Sequence, residues 1–205
     1  MASRAGRMTP FSRAVYVGGG QATGGANHEE CLQNFAELWE KAERFSLFLQ
    51  RSGSHRELWE GLYRIARIPD WARETLHGEP RKLLVLAEDW CGDASNIVPF
   101  LARWADDTAG LELRILRRDQ YPEVMNQYLT NGSRSIPIVI VLDQDYQELG
   151  HWGPRPHELQ AWVMNNRDIL PKAELYPLIR KWYARDRGET TLREIRGIGK
   201  TGNPT

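Results

Sequence analysis

The chain has 205 residues, enough for one substantial domain with additional elements, and its 27 basic side chains balance its 27 acidic ones. Because no net charge draws the protein to a polyanion, we expect no nucleic-acid binding. No apolar run approaches the roughly 18 residues of a membrane-spanning helix, and residues 2–7 lack the apolar core of a signal peptide. The sequence therefore predicts a cytoplasmic protein with reduced thiols and no membrane association.

Two glycine-containing segments superficially resemble nucleotide-binding loops. Residues 1–26 are rich in glycine and small polar side chains, but Gly24 stands one place too late for the G-x-G-x-x-G pattern. Residues 199–201 read Gly-Lys-Thr, but the earlier glycine of such a loop is replaced by Glu194. We therefore interpret the first segment as a flexible arm and expect no nucleotide site.

Residues 27–79 are predicted to form a helical extension. A capping box of Asn27 and Glu30 opens a helix whose apolar stripe passes through Cys31 and continues to Leu49. Cys31 is then either a small hydrophobic residue of the core or a partner thiol for the chain's only other cysteine, at position 91.

Two further helices follow in this extension. A second capping box, formed by Ser54 and Glu57, opens a helix that stops at Pro69. Asp70 is expected to cap a short third helix that ends near Gly78. A layer of helices therefore precedes the first strand.

Residues 80–168 have the alternating pattern of an α/β fold. The predicted strands are 82–87, 111–117, 137–142 and 146–150, and the predicted helices are 93–107, 119–130 and one from about 156. A helix separates the first two strands, so they are expected to be parallel. The tight turn at 143–145 predicts an antiparallel hairpin. The result is a central mixed sheet flanked by helices, followed in region 169–205 by one more helix, from Pro171 to near Gly188, and a basic, glycine-rich tail.

Cys91 lies where the apolar run 83–87 gives way to a helical pattern. Unpaired backbone N–H groups and the positive end of the helix dipole favour a thiolate at such a helix N-terminus. The neighbouring carboxylates of Glu88, Asp89 and Asp93 act in the opposite direction, because negative charge raises the pKa of a thiol. Asp93 is interpreted either as an acid that stabilises the first helical turn or as a proton acceptor and substrate selector.

Together, these residues resemble the thioredoxin-like family over residues 80–168. The shared features are the active-site turn Trp90-Cys91-Gly92-Asp93-Ala94, the helix proline Pro99, the pair Ile136-Pro137 before a strand, and the glycines Gly150 and Gly153 after the hairpin. The Cys-Gly-Asp variant, with Arg155-Pro156 after the hairpin, is similar to a bacterial group within that family rather than to general-purpose thioredoxins. The resemblance implies a thioredoxin-like fold with an N-terminal helical extension and an extra C-terminal helix.

The resemblance also implies roles for individual residues. Cys91 would be the nucleophile, and Ile136 with Pro137 would orient the substrate, Pro137 being either the family's cis-proline or an ordinary trans proline that begins a strand. Trp90 and Trp152 would flank the site as apolar walls. Arg155 would bind a carboxylate of a small thiol such as glutathione or bacillithiol, or form a surface ion pair.

Two departures from the family pattern argue against ordinary dithiol chemistry. Ala94 stands where the resolving cysteine would be, and Val85 stands where thioredoxins carry a buried acid. We therefore predict a single-thiol oxidoreductase that acts through Cys91 on a protein disulfide or on a mixed disulfide with a low-molecular-weight thiol. The alternative is a non-catalytic protein-binding module. Neither needs a metal or cofactor, and the oligomeric state stays open.

Overall fold

The computed structural model describes residues 34–74 and 79–199. The helices are α1 (Phe35–Lys41), α2 (Phe45–Gln50), α3 (Arg56–Ile65), α4 (Asp70–Arg73), α5 (Gly92–Asp107), α6 (Pro122–Met125), α7 (His157–Asn166), α8 (Lys172–Asp186) and α9 (Glu189–Gly197). The strands are β1 (Arg81–Ala87), β2 (Leu111–Arg117), β3 (Ile138–Leu142) and β4 (Glu148–Trp152). None of the helices in this part of the chain has the length and apolarity needed to cross a membrane.

The strands form one mixed sheet in the order β2-β1-β3-β4. Strand β1 pairs in parallel with β2, and β3 is antiparallel to both of its neighbours, β1 and β4. This arrangement confirms the predicted α/β fold with a parallel β-α-β unit followed by a hairpin. Val85 shows why β1 is a continuous apolar run: it is fully buried, between Ile115 and Val139 in the neighbouring strands.

The sequence predicted one helix from the Asn27 capping box to Leu49. In the described residues this prediction is wrong, because two helices, α1 and α2, occupy the segment. The chain leaves the helical conformation at Ala42, and the backbone of Glu43 exchanges two hydrogen bonds of 2.8 Å with Ile115 of β2. Strand β2 is at the edge of the sheet, and this bridge satisfies backbone groups that would otherwise be unpaired. Helix α1 is instead capped by the Asn34 side chain, which accepts from the Glu37 N–H at 3.1 Å. The predicted capping box and Cys31 lie outside the described residues.

The two capping predictions for α3 and α4 are also wrong. Helix α3 is preceded by His55 in the left-handed conformation, with no side-chain cap, and Ser54 uses its backbone N–H to bind the Asp89 carboxylate at 3.1 Å. Asp70 is the first residue of α4 rather than its cap, and its carboxylate pairs with Arg73 at 2.7 Å.

Three boundaries beyond β1 differ from the prediction. The helix expected at 119–130 is a 3-10 turn, Arg118–Gln120, followed by the short α6. Strand β4 is shifted by two residues, because the Asp143 carboxylate accepts from the N–H groups of Asp145 and Gln147 at 2.8 and 2.9 Å and extends the turn. Part of the segment expected to be a basic tail forms α9, which buries Leu192 and Ile195.

Candidate functional site

Cys91 occupies the N-cap position of α5, at the carboxyl end of β1. Its sulfur accepts from the Ala94 N–H at 3.5 Å, and its thiol donates to the Ile136 carbonyl oxygen at 3.4 Å. Only 8 % of the residue is exposed. The thiol therefore lies between the first turn of α5 and the backbone that precedes β3.

The surroundings of Cys91 act on its pKa in both directions. Burial is the largest influence and raises the pKa of the thiol, and the Asp93 carboxylate raises it further. The Ala94 N–H and the Arg155 guanidinium lower the pKa, but the net direction is upward from the ordinary value of 9.0. The resting group is consequently a thiol, in agreement with its donation to the Ile136 carbonyl.

Asp93 is held by two residues from distant parts of the sequence. Arg155 donates from Nε and Nη2 to the two carboxylate oxygens at 3.0 and 2.5 Å, and Tyr183 of α8 donates its hydroxyl proton to Oδ1 at 2.8 Å. Arg155 also donates to the Gln160 side chain at 2.9 Å. Burial raises the pKa of Tyr183, so its hydroxyl keeps the donated proton. The guanidinium proposed as a carboxylate binder is thus already paired with Asp93.

The Ile136–Pro137 peptide bond is cis, as is Gly153–Pro154. Ile136 is buried, and its carbonyl oxygen faces Cys91. The backbone of Gly153 passes so close to the Pro137 carbonyl oxygen that a Cβ on Gly153 would lie 2.2 Å from it. The two proline turns are therefore packed directly together beside the thiol.

The two tryptophans predicted to flank the site are placed differently. Trp90 is 47 % exposed, lines the cleft above Cys91, and has the Arg118 guanidinium 4.9 Å from its ring centroid. Trp152 is buried and donates its indole N–H to the Glu194 carboxylate of α9 at 2.5 Å. Trp152 is absent from the residues that line the thiol cleft.

The thiol opens into a cleft of about 430 Å³. The cleft is lined by Cys91 and Asp93, by Leu58 of α3, and by Tyr176 and Ile179 of α8. The contribution of α8, including the Tyr183 contact to Asp93, was missed by the sequence prediction. An apolar stripe on α8 showed only that the helix packs, without indicating against what.

Val85, at the position where thioredoxins carry a buried acid, is apolar and fully buried. Glu88, which follows the last residue of β1, is a buried acid, with 6 % of its surface exposed. The Glu88 carboxylate accepts from the Asp119 N–H at 2.8 Å, and its burial raises its pKa. Within residues 34–74 and 79–199, no group of three His, Cys, Asp or Glu side chains is arranged to hold a metal ion.

The chain has a β-α-β unit followed by a β-hairpin, and the Cys91 thiol at the start of α5 lies opposite the cis Ile136–Pro137 turn. This combination defines a thioredoxin-fold protein. The model of a family described as Thioredoxin matches residues 42–172, and the chain therefore belongs to the thioredoxin family. The matched segment includes α2–α4 as well as the sheet. No curated protein matches the sequence significantly.

Two solved structures share the fold. One is a protein of unknown function from Pseudomonas aeruginosa, with a TM-score of 0.60 and 22 % identity over 79 % of this chain and 96 % of that one. The other is an HIV epitope scaffold, with a TM-score of 0.60 and 21 % identity over 79 % of this chain and 97 % of that one. At these identities the likeness concerns the fold alone.

Proposed function

We propose that the protein exchanges disulfides through the single thiol of Cys91, acting on a protein disulfide or on a mixed disulfide with a low-molecular-weight thiol. One observation carries this proposal. The Cys91 sulfur lies at the N-terminus of α5, accepts from the Ala94 N–H and faces the cleft beside the Ile136–Pro137 turn. Such a position stabilises the thiolate that forms during exchange. We also propose a cytoplasmic location, because a low cysteine content, two in 205 residues, is typical of proteins in reducing compartments.

The proposed reaction has two balanced exchange steps. The Cys91 thiol first loses its proton to solvent, and the thiolate attacks one sulfur of the substrate disulfide. A bond forms between Cys91 and that sulfur, the substrate S–S bond breaks, and the second substrate sulfur leaves as a thiolate. A low-molecular-weight thiolate then attacks the substrate sulfur of the mixed disulfide, which releases Cys91 as a thiolate and yields a new disulfide.

Ala94 determines which species resolves the mixed disulfide. A second cysteine at that position would attack Cys91 within the molecule, but alanine cannot. Cys31 is the other cysteine of the chain and lies outside the described residues. We therefore assign resolution to an external thiol and leave Cys31 as the alternative that a variant can test.

The raised pKa of Cys91 favours a second candidate, a protein-binding module that does not turn over. Burial keeps the thiol protonated at neutral pH, and a protonated thiol is a poor nucleophile. In this reading the cleft and the helices of segments 27–79 and 169–205 would bind a partner. We propose in either case that α3 and α8 shape the cleft around the residue 80–168 core.

The test is turnover of a glutathione mixed disulfide with reduced glutathione in excess. We expect the wild type and Cys31→Ser to turn over equally and Cys91→Ser to lose activity. Equal rates in wild type and Cys91→Ser would exclude catalysis of disulfide exchange by Cys91. A Cys91 pKa at or above about 8.5 by pH-dependent alkylation, together with absent turnover, would favour the binding module.

A further inference from the structure

A second cavity of about 520 Å³ continues the thiol cleft along the same three helices. It is lined by Leu62 and Ile65 of α3 and by Phe100 of α5, and it shares Leu58 and Asn96 with the thiol cleft. The two cavities form one groove, with α5 as its floor and α3 and α8 as its walls. We call it the α3/α8 groove, and Cys91 lies at one end of it.

Helix α3 presents a second apolar face to this groove. Trp59 is fully buried and packs in the core, whereas Leu58 and Ile65 are 40 % and 63 % exposed. Leu58, Leu62 and Ile65 are spaced by four and three residues, so they share one side of the helix. A row of exposed aliphatic side chains inside a concave surface is typical of a binding site.

The rim of the groove is cationic. The side chains of Arg67, Arg180 and Arg187 line it, and none of the three forms an ion pair within residues 34–74 and 79–199. The carboxylate that lines the groove is that of Asp93, and Arg155 already binds both of its oxygens. The groove therefore presents uncompensated positive charge beside apolar side chains.

We infer that the α3/α8 groove binds an acidic amphipathic peptide segment of a partner protein. The apolar side chains of the peptide would contact Leu58, Leu62 and Ile65, and its carboxylates would pair with Arg67 and Arg180. The wall from Leu58 to Ile65 rises about 10 Å along α3, which about three or four extended residues would span. A bilayer surface fits less well, because the aliphatic side chains lie between two helices.

This inference goes beyond disulfide exchange, since binding in the groove does not require the Cys91 thiol to react. It also applies to both functions proposed above. The peptide would bring a cysteine of the partner to the thiol end of the groove if the protein is an enzyme, and it would be the ligand itself if the protein is a binding module.

The experiment uses two fluorescein-labelled peptides of the same length, one made of leucine and glutamate and one of leucine and lysine. Fluorescence anisotropy is measured with the full wild-type chain, because peptides without cysteine cannot form a disulfide with Cys91. We expect the glutamate peptide to bind at least about tenfold more tightly, and to weaken as salt is added. Equal affinities would overturn the inference, and so would binding to anionic phosphatidylserine vesicles with no binding of the glutamate peptide.

Matched variants locate the binding. The double variant Arg67→Glu with Arg180→Glu is expected to weaken the glutamate peptide about tenfold. The control, Arg64→Glu with Arg185→Glu, changes the same net charge at two exposed positions outside the groove. Affinity lost equally in the two double variants would overturn the assignment to the groove. Circular dichroism of both double variants establishes that they are folded.

Discussion

Arg155 holds Asp93 in a two-pronged ion pair, with Nε and Nη2 at 3.0 and 2.5 Å from the two carboxylate oxygens. Asp93 is the second residue of α5 and lies two positions after Cys91, while Arg155 follows the hairpin 62 residues later in the sequence. Both side chains are largely shielded, with 14 % and 18 % of their surfaces exposed. The pair therefore joins the helix that carries the thiol to the loop that follows β4.

Replacing Asp93 with asparagine is expected to make Cys91 more reactive. The Asp93 charge raises the pKa of the thiol and Arg155 lowers it. Asp93→Asn therefore removes the charge that disfavours the Cys91 thiolate and leaves the charge that favours it. We predict a lower Cys91 pKa and severalfold faster iodoacetamide alkylation at pH 7, with a loss of about 2 kcal/mol in the free energy of unfolding. The rate as a function of pH provides the measurement.

Asp89→Asn is the matched control for this prediction. Asp89 is also close to Cys91 in sequence, but its carboxylate accepts from the backbone N–H groups of Gly53 and Ser54 at 2.7 and 3.1 Å. It is not among the main influences on the Cys91 pKa. An alkylation profile for Asp93→Asn that stays superimposed on the wild type would contradict the electrostatic role assigned to Asp93.

Tyr183 connects α8 to the site through its hydrogen bond of 2.8 Å to Asp93 Oδ1. Tyr183→Phe removes the donor from a buried carboxylate, and we predict a loss of about 1–2 kcal/mol in the free energy of unfolding by urea titration. Tyr176→Phe, on the same helix but 48 % exposed, should change stability by less than about 0.5 kcal/mol. Equal stabilities of the two variants would show that the hydrogen bond contributes nothing.

The sheet and the position of Cys91 were predictable because each depends on a local pattern. The apolar run of β1, the following helix and the tight turn at 143–145 each show in a few consecutive residues, and the structure has the predicted mixed sheet. The break between α1 and α2 was not predictable in this way. It depends on the pairing of Glu43 with Ile115, and the sequence does not show that the edge of β2 needs a partner.

The sequence prediction missed helix α9 and, with it, the position of Trp152, which depends on a residue of that helix. The segment of α9 has few apolar residues, mainly Leu192 and Ile195, so its composition is that of a polar tail. Its Glu194 accepts from the indole of Trp152, which draws that side chain inward rather than to the thiol cleft. A contact across 42 residues between one tryptophan and one glutamate leaves no periodic signal in the sequence.

Glu88 gives the protein a pH-dependent contribution to stability. Its pKa is raised by burial above the ordinary value of 4.5, so the folded state holds the proton more tightly than the unfolded chain. The free energy of unfolding therefore falls as pH rises from about 4.5 to the folded pKa, because the buried carboxyl ionises less readily than the exposed one. At neutral pH the whole cost of burying the charged carboxylate is present. We predict that Glu88→Gln, whose amide oxygen can still accept from the Asp119 N–H, is more stable than wild type at pH 7.

The same prediction has a distinctive dependence on pH. The advantage of Glu88→Gln should shrink as the pH falls through the folded pKa towards 4.5, and it should be lost below 4.5, where the wild-type carboxyl is neutral in both states. Urea titrations at a series of pH values measure the difference. Glu112→Gln, at an exposed position of β2, is the control for the removal of one charge. A Glu88→Gln difference that does not vary with pH would rule out this account.

We predict that alanine cannot replace Gly153 without a large loss of stability. Alanine should be tolerated at Gly92, which lies beside the same thiol. Gly153 has φ +132°, and a Cβ there would lie 2.2 Å from the Pro137 carbonyl oxygen and 3.2 Å from the Ile138 Cα. Both neighbours are backbone atoms, one in the turn that faces Cys91 and one in the first residue of β3, so they can move only by displacing β3. We predict a loss of about 3 kcal/mol in the free energy of unfolding for Gly153→Ala.

Gly92→Ala provides the comparison, because a Cβ at the first residue of α5 meets no heavy atom within 4 Å. Alanine is also favoured over glycine in a helix, so this variant should be at least as stable as the wild type. Urea titration measures both stabilities, and Cys91 alkylation below the transition reports on the site. We expect faster alkylation in Gly153→Ala, because displacing the Pro137 turn exposes the sulfur. Wild-type stability in Gly153→Ala would mean that the two proline turns are not packed as the structure places them.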